Sequence, residues 1–202
     1  VIDLVIIAYY ALYAYDLKFQ KLTTWRTPLI TLAALCLLCV TFIFVNNMTL
    51  MLTPERWVTY FSQSDGTILN LAEPMLIPRF LHFILAAFAV AGMFQAYRWR
   101  NREDGQEHVR EGMQWFFYAT LCQFLIGPWF LFSLPSHIYL QFLGGDSFLT
   151  GLFLLGMLCV LTALHYGYRY QVWPTIISLV ATISVMAVMR DQLRQLYLEP
   201  YY

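Results

Sequence analysis

The sequence predicts an all-α fold, a polytopic transmembrane helix bundle with five full spans and a partial one at the N-terminus. Of its 202 residues, 60% are hydrophobic and only 12% are charged, whereas about 25% are charged in an ordinary soluble domain. The mean hydropathy is +0.59. Five segments reach the length of about 20 apolar residues that a helix needs to cross hydrocarbon. A soluble enzyme is excluded, because so short a chain could not bury this much apolar surface in one globule.

The predicted spans follow one another along a single transmembrane domain, residues 1–202. They are 28–52, 76–98, 113–134, 147–166 and 171–189. The apolar stretch from Val1 to Tyr15 would reach only about 22 Å as a helix, short of the roughly 30 Å hydrocarbon core. Because it does not start with Met, we expect the domain to be incomplete at its N-terminus. A short secretory signal is the alternative, although the cationic segment and small-residue cleavage site of such signals are missing.

Prolines and cysteines occur inside these apolar segments. Pro128 removes a backbone donor and is expected to kink its helix, either for packing or to make room for a ligand. Cys36 and Cys39 have the spacing of a metal or redox pair, but they lie in a run of apolar residues that supplies no further ligands. We therefore interpret them as small packing residues rather than a zinc site or a disulfide.

Basic residues are distributed unequally between the two sides of the predicted spans. Eight of the 12 lie in or beside loops 16–27 and 99–112 and the turn 167–170, and loop 135–146 has none. The positive-inside rule places that first set in the cytoplasm and both termini outside, in a bacterial or archaeal cytoplasmic membrane. Loop 46–75 then lies outside, and its aromatic residues suit a short amphipathic helix at the interface. A formal net charge of zero argues against a nucleic-acid partner, which needs a basic face.

His82 is the most informative residue for function, because it is an ionisable residue inside a predicted span. A polar group in hydrocarbon must find a partner. Haem iron is one such partner, and Arg79 lies one turn away on the same helix face, where its guanidinium could pair with a haem propionate. The alternative is that His82 bonds to a carbonyl of a neighbouring helix while Arg79 extends to lipid phosphate.

The remaining candidate ligands carry weaker signals. His108 is expected to be solvated, His137 to cap a turn or reach the edge of a cofactor, and His165 to lie at the interface or serve a second haem. A methionine could be the second axial ligand of a low-spin haem, but methionine is also a common gap-filler. The candidates near the predicted outer surface are Met48, Met51, Met75, Met186 and Met189.

The order of several short motifs between Tyr10 and Asp146 resembles subunit I of the cytochrome bd quinol oxidases. The motifs are Ala14-Tyr15-Asp16-Leu17-Lys18, Phe44-Val45-Asn46-Asn47, Leu52-Thr53-Pro54, Glu73-Pro74, Arg79-Phe80-Leu81-His82 and Ala91-Gly92-Met93-Phe94. In that family the basic-Phe-x-His pattern contains a ligand of the low-spin haem b, so the resemblance implies that His82 has this role.

The chain departs from the family in features that oxygen reduction requires. The two earlier helices that carry a high-spin haem ligand in that family would have to lie before Val1, the first residue of this sequence. Loop 135–146 is too short for the long quinol-binding loop, and no Arg-x-Met pair is present. The resemblance therefore implies a subunit of a quinol-linked respiratory complex that binds haem b. Such a subunit would pass electrons between quinone and an outer-side partner, such as a periplasmic c-type cytochrome, in contact with lipid and other membrane subunits. The rival hypotheses are a cofactor-free structural subunit and, less well supported, a transporter, which would need paired intramembrane charges.

Overall fold

The computed structural model describes residues 1–21, 23–63 and 68–201. The structure is 83% helical, and the described residues include no β-strand, which confirms the all-α prediction. The chain divides into two compact units, Val1–Leu76 and Ile77–Tyr202. Each unit has its own packing, and the two are described in turn.

The first unit is built on two antiparallel helices, α1 (Ile2–Leu17) and α2 (Arg26–Leu50). They pack through small side chains, which allow two helices in a membrane to approach closely. The buried residues at this contact are Ala8, Ala11, Ala33 and Cys36. Cys36 therefore serves helix packing, as the sequence indicated, while Cys39 is exposed.

The segment after α2 contains a 3₁₀ turn, Pro54–Arg56, and one short helix, α3 (Val58–Ser62). This is the region in which the sequence predicted a short interfacial helix. Its aromatic side chains Trp57, Tyr60 and Phe61 are all exposed, as expected of a segment that faces lipid headgroups. Residues 64–67 of the predicted outer loop 46–75 lie outside the described part of the chain.

The second unit contains four long helices and one short one. They are α4 (Leu76–Trp99, whose first residue belongs to the first unit), α5 (Gln106–Phe132), α6 (Ser136–Leu140), α7 (Ser147–Tyr168) and α8 (Val172–Leu198). A π-helical turn, Gln141–Gly145, follows α6, and a 3₁₀ turn, Glu199–Tyr201, follows α8.

Five helices are long and apolar enough to cross a membrane, namely α2, α4, α5, α7 and α8 extended to Tyr201. This confirms the five predicted spans and defines an integral membrane protein. Two helices are longer than their predicted spans: α5 begins at Gln106 rather than 113, and α8 continues to Leu198 rather than 189. The added turns carry charged residues such as Arg110 and Arg190, because hydropathy marks the part of a helix in hydrocarbon and not the turns beyond it.

Helices α4 and α5 approach each other closely where Gly92 and Gly112 face each other. A Cβ atom added to Gly92 would lie 2.5 Å from the carbonyl oxygen of Gly112. Around this contact lies the core of the unit, which draws on α4, α5 and α7 with α8 packed against it. Its buried members are Ala89, Met93, Ala96, Met113, Phe116, Ala119 and Ala163. The glycine pair thus sets the separation of α4 and α5, and with it the positions of the polar residues further along.

Candidate functional site: His82, Arg79 and Gln123

His82 and Arg79 lie one turn apart near the start of α4, and both are half-buried. The facing residues, Gln123 and Phe130, come from the second half of α5, because the two helices run antiparallel from the Gly92–Gly112 contact. The sequence had singled out His82 and Arg79 but had left their partners open. The structure supplies a partner for each of them on α5.

Gln123 of α5 is the partner of His82. Its amide Nε2 donates a hydrogen bond to the backbone carbonyl oxygen of His82 over 3.0 Å. This oxygen belongs to a helix backbone, so the amide adds an interhelical bond to a group that also serves the α-helical ladder. The contact joins α4 and α5 about ten residues away from the glycine pair.

The other end of the Gln123 amide has no hydrogen-bond partner. Its Oε1 is the single buried side-chain nitrogen or oxygen left without one in the part of the chain that the structure describes. The amide interacts with the imidazole of His82, although Oε1 does not make a hydrogen bond of good geometry. Because a buried, unpaired carbonyl-type oxygen costs about 1–3 kcal/mol, an imidazole N–H is the obvious donor for it.

Arg79 interacts with an aromatic ring of the same helix α5. Its guanidinium carbon lies 5.3 Å from the centroid of the Phe130 ring, within the range of a cation–π contact. Its charge also acts on His82. A haem propionate or a lipid phosphate as a further partner of Arg79 stays a prediction.

Sequence reasoning missed Gln123 and Phe130. The available signal for Gln123 was its polarity, since it is an amide within the predicted span 113–134 and a polar group there needs a partner. Phe130 gave no signal, because one aromatic residue among many in an apolar helix is unremarkable in sequence.

The other three histidines lie in different settings. His108 stacks on Trp99, with ring centroids 4.2 Å apart, and its Nδ1 lies 3.9 Å from Glu111 Oε2. His137 is exposed in α6, and His165 is exposed beside the ring of Tyr166. Across the described residues, no hydrogen bond or ring contact joins any of them to His82. Of the candidate methionine ligands, Met75 is fully buried, whereas Met51 and Met186 are exposed.

A second polar cluster, in the first unit, was also not predicted. Asn46 near the end of α2 accepts a hydrogen bond at Oδ1 from the backbone N–H of Asn70 over 2.7 Å and donates from Nδ2 to the carbonyl of Ile68 over 3.0 Å. The Nδ2 of Asn70 lies 3.4 Å from Thr49 Oγ1. Asn46, Thr49 and Asn70 are all buried. Their bonds fasten the chain at 68–70 to the end of α2, which is a structural role.

No family model, curated protein or solved structure matches this chain. Within the described residues, no group of three or more His, Cys, Asp or Glu could together hold a metal ion. The structure therefore defines a class, an all-α integral membrane protein, and the polar residues singled out by the sequence lie between two of its spanning helices. These residues are His82 and Arg79 on α4, and Gln123 on α5 is the partner of His82.

Proposed function

We propose that this chain is a bd-oxidase-like subunit of a respiratory electron-transfer complex, in which His82 is an axial ligand of haem b. It would exchange electrons between the quinone pool and an outer-side redox partner such as a periplasmic c-type cytochrome. The observation that carries the proposal is the unpaired Oε1 of Gln123 beside the imidazole of His82.

A histidine that ligates a metal almost always donates its other ring N–H to an acceptor, which fixes the tautomer and the orientation of the ring. Gln123 supplies such an acceptor from the neighbouring helix. Its amide is oriented by the 3.0 Å bond from Nε2 to the backbone of His82, so Oε1 is the atom available to the imidazole. The residues present therefore fit a single-histidine haem ligand. The second nitrogen of the ring would be left for iron.

Arg79 would neutralise the negative charge of a haem propionate. A haem propionate in the outer half of a membrane needs a cation, and the guanidinium of Arg79 lies one turn from His82 and is positioned by Phe130. Haem, when bound, supplies one-electron transfer at a potential that nearby charges and hydrogen bonds adjust. The chain contributes the ligand, the acceptor that orients it and the cation.

The rival proposal is a cofactor-free structural subunit. The hydrogen bond from Gln123 to His82 also supports this proposal. A hydrogen bond from Gln123 to the backbone of α4 is a way of joining two helices, and interhelical bonds of this kind stabilise membrane proteins by about 0.6 kcal/mol on average. In that case His82 and Gln123 would only pair with each other.

A reduced-minus-oxidised absorption spectrum of the purified complex separates the two proposals. His82→Ala is expected to remove one b-type signal while the complex still assembles, and Gln123→Leu is expected to retain the signal with a shifted midpoint potential. His137→Ala is the matched control, because that histidine is exposed and its removal should leave the spectrum intact. A spectrum that His82→Ala does not alter would refute the haem proposal and leave the structural one.

A further inference from the structure

A cavity that the proposed function does not use lies where α4 ends and α5 and α8 begin. Its volume is about 330 Å³, at the lower end of the roughly 300–1,000 Å³ typical of small-ligand sites. Three arginines line it, Arg100 and Arg102 from the loop after α4 and Arg110 from the first turns of α5, together with Gln106, Tyr170 and Val172.

The charge of this cavity could not be read from composition. Residues 98–111 contain four arginines and four acidic residues and are neutral as a segment. The structure separates the two signs, because none of the Asp and Glu side chains that it describes lines the cavity. Glu111 lies with Gln95, which donates to its Oε2 over 2.9 Å, and with His108. The cavity is therefore a positive site within a neutral segment.

Two of the three guanidinium groups, those of Arg100 and Arg102, are held in place by aromatic rings rather than by carboxylates. Arg100 lies 3.8 Å from the ring centroid of Tyr97 and 5.1 Å from that of Trp173, and Arg102 lies 4.4 Å from that of Trp99. Among the described residues, no carboxylate comes within 4 Å of the three cavity arginines. The rings therefore order Arg100 and Arg102. Nη1 of Arg100 donates to the backbone carbonyl oxygen of Tyr97, and the other guanidinium N–H groups of the three arginines remain available to an anion.

The aromatic rings also indicate the depth of the cavity in the membrane. Trp99 ends the spanning helix α4, and Trp173 lies in the first turn of the spanning helix α8. Trp and Tyr at the ends of spanning helices lie at the level of the lipid headgroups. An anion at this level, next to three arginines, is most simply the phosphate of a lipid.

We infer that this cavity binds the headgroup of an anionic phospholipid, with phosphate oxygens paired to the guanidinium groups of Arg100, Arg102 and Arg110. Guanidinium is the side chain best matched to phosphate, because its parallel N–H groups form two bonds at once. Basic pockets between spanning helices on the cytoplasmic side are a known form of lipid recognition, and the charge distribution of the loops predicts that this end is cytoplasmic.

The inference is tested by titrating the delipidated, purified full-length protein in neutral detergent with phosphatidylglycerol, and counting bound lipid by native mass spectrometry. Each arginine near an anionic membrane surface contributes about fivefold to affinity, so Arg100→Gln/Arg102→Gln/Arg110→Gln should bind about a hundredfold more weakly. The charge-matched control is Lys21→Gln/Arg98→Gln/Arg169→Gln, which removes three basic residues of the same predicted side that do not line the cavity. It should stay within about twofold of the original protein, because electrostatic binding outside the cavity is screened.

The single variant Arg110→Gln tests the inference even if the triple variant fails to fold. Arg110 is exposed and makes no hydrogen bond or ring contact among the described residues, so removing it should lower affinity about fivefold without affecting folding. Unchanged binding by the triple variant would overturn the inference, as would an equal loss in the control variant, which would indicate attraction by net charge only. Inorganic phosphate that fully displaces phosphatidylglycerol at low millimolar concentration would overturn the lipid assignment in favour of a soluble anion.

Discussion

The backbone N–H of Asn70 donates to the side-chain Oδ1 of Asn46 across 24 residues of sequence, over 2.7 Å. Both residues are 2% exposed. One asparagine side chain thus holds the returning chain against the end of α2 by two hydrogen bonds, the second being to the carbonyl of Ile68.

Replacing Asn46 with Ala should destabilise the first unit. The substitution leaves the N–H of Asn70 without its partner in a buried site, at a cost of about 1–3 kcal/mol. We expect a lower thermal midpoint and faster proteolysis between residues 57 and 70. Asn47→Ala is the control, because Asn47 is exposed and substitutions at such sites are usually within about 0.5 kcal/mol of neutral. Equal behaviour of the two variants would show that the Asn46 bonds contribute nothing to stability.

Gly92→Ala should destabilise the second unit. The new Cβ would lie 2.5 Å from a backbone oxygen and 2.7 Å from the Cβ of Trp115, so α4 and α5 must move apart, at a cost of about 1–3 kcal/mol. The measurement is the unfolding midpoint in a detergent titration. Gly127→Ala in α5 is the control, since its added Cβ would meet no atom within 4 Å. If Gly92→Ala were as stable as Gly127→Ala, the glycine contact would not determine the helix separation.

Arg79 should affect the redox potential of a haem at His82 through its charge. Arg79→Gln removes a cation that favours the reduced, less positive form, so the midpoint potential should fall by something on the order of 50 mV. Arg79→Lys keeps the charge and should change the potential much less. The measurement is a potentiometric titration of the b-type absorption in all three proteins. Equal potentials would indicate that Arg79 serves only to bind Phe130 or lipid.

The predicted orientation can be measured with single cysteines. Gln63→Cys after α3 and Asp104→Cys in the loop after α4 are both at exposed positions, in a background from which the four native cysteines are removed. A membrane-impermeant thiol reagent should label Gln63→Cys in intact cells and Asp104→Cys only after lysis, because basic loops stay in the cytoplasm. Labelling of Asp104→Cys in intact cells would invert the topology and exclude an outer-side redox partner for His82.

The spanning helices could be predicted because hydrocarbon imposes one requirement, about 20 apolar residues, that a linear sequence displays directly. His82 could be singled out for the same reason, as an ionisable residue in an apolar run. The pairing of His82 with Gln123 could not be predicted, because it depends on how α4 and α5 are rotated about the Gly92–Gly112 contact. How closely two helix backbones approach depends on both segments, and neither segment shows it alone.

The arginine cavity could not be predicted from the sequence either, because the positions of its charges depend on the fold. The sequence predicted a basic loop and its side of the membrane. It gave no sign of an anion site, because four acidic residues balance the four arginines of this segment. Only the fold directs Arg100, Arg102 and Arg110 to one cavity and Glu111 away from it.

The glycine contact gives the α4–α5 pair the geometry of a lever. Gly92 and Gly112 are in contact near the connecting loop. His82 lies ten residues before Gly92 on α4, about 15 Å away at 1.5 Å per residue. With a distance of about 15 Å between Gly92 and His82, a tilt of about 10° about the contact would change the separation of the helices at His82 by about 2.6 Å. Such a tilt would strain the bond from Gln123 to His82, the contact of Arg79 with Phe130 and the stacking of Phe88 on Trp115. The space at the histidine therefore depends on the angle between these two helices, and the part of the core at Ala89 and Ala119 would have to repack when that angle changes.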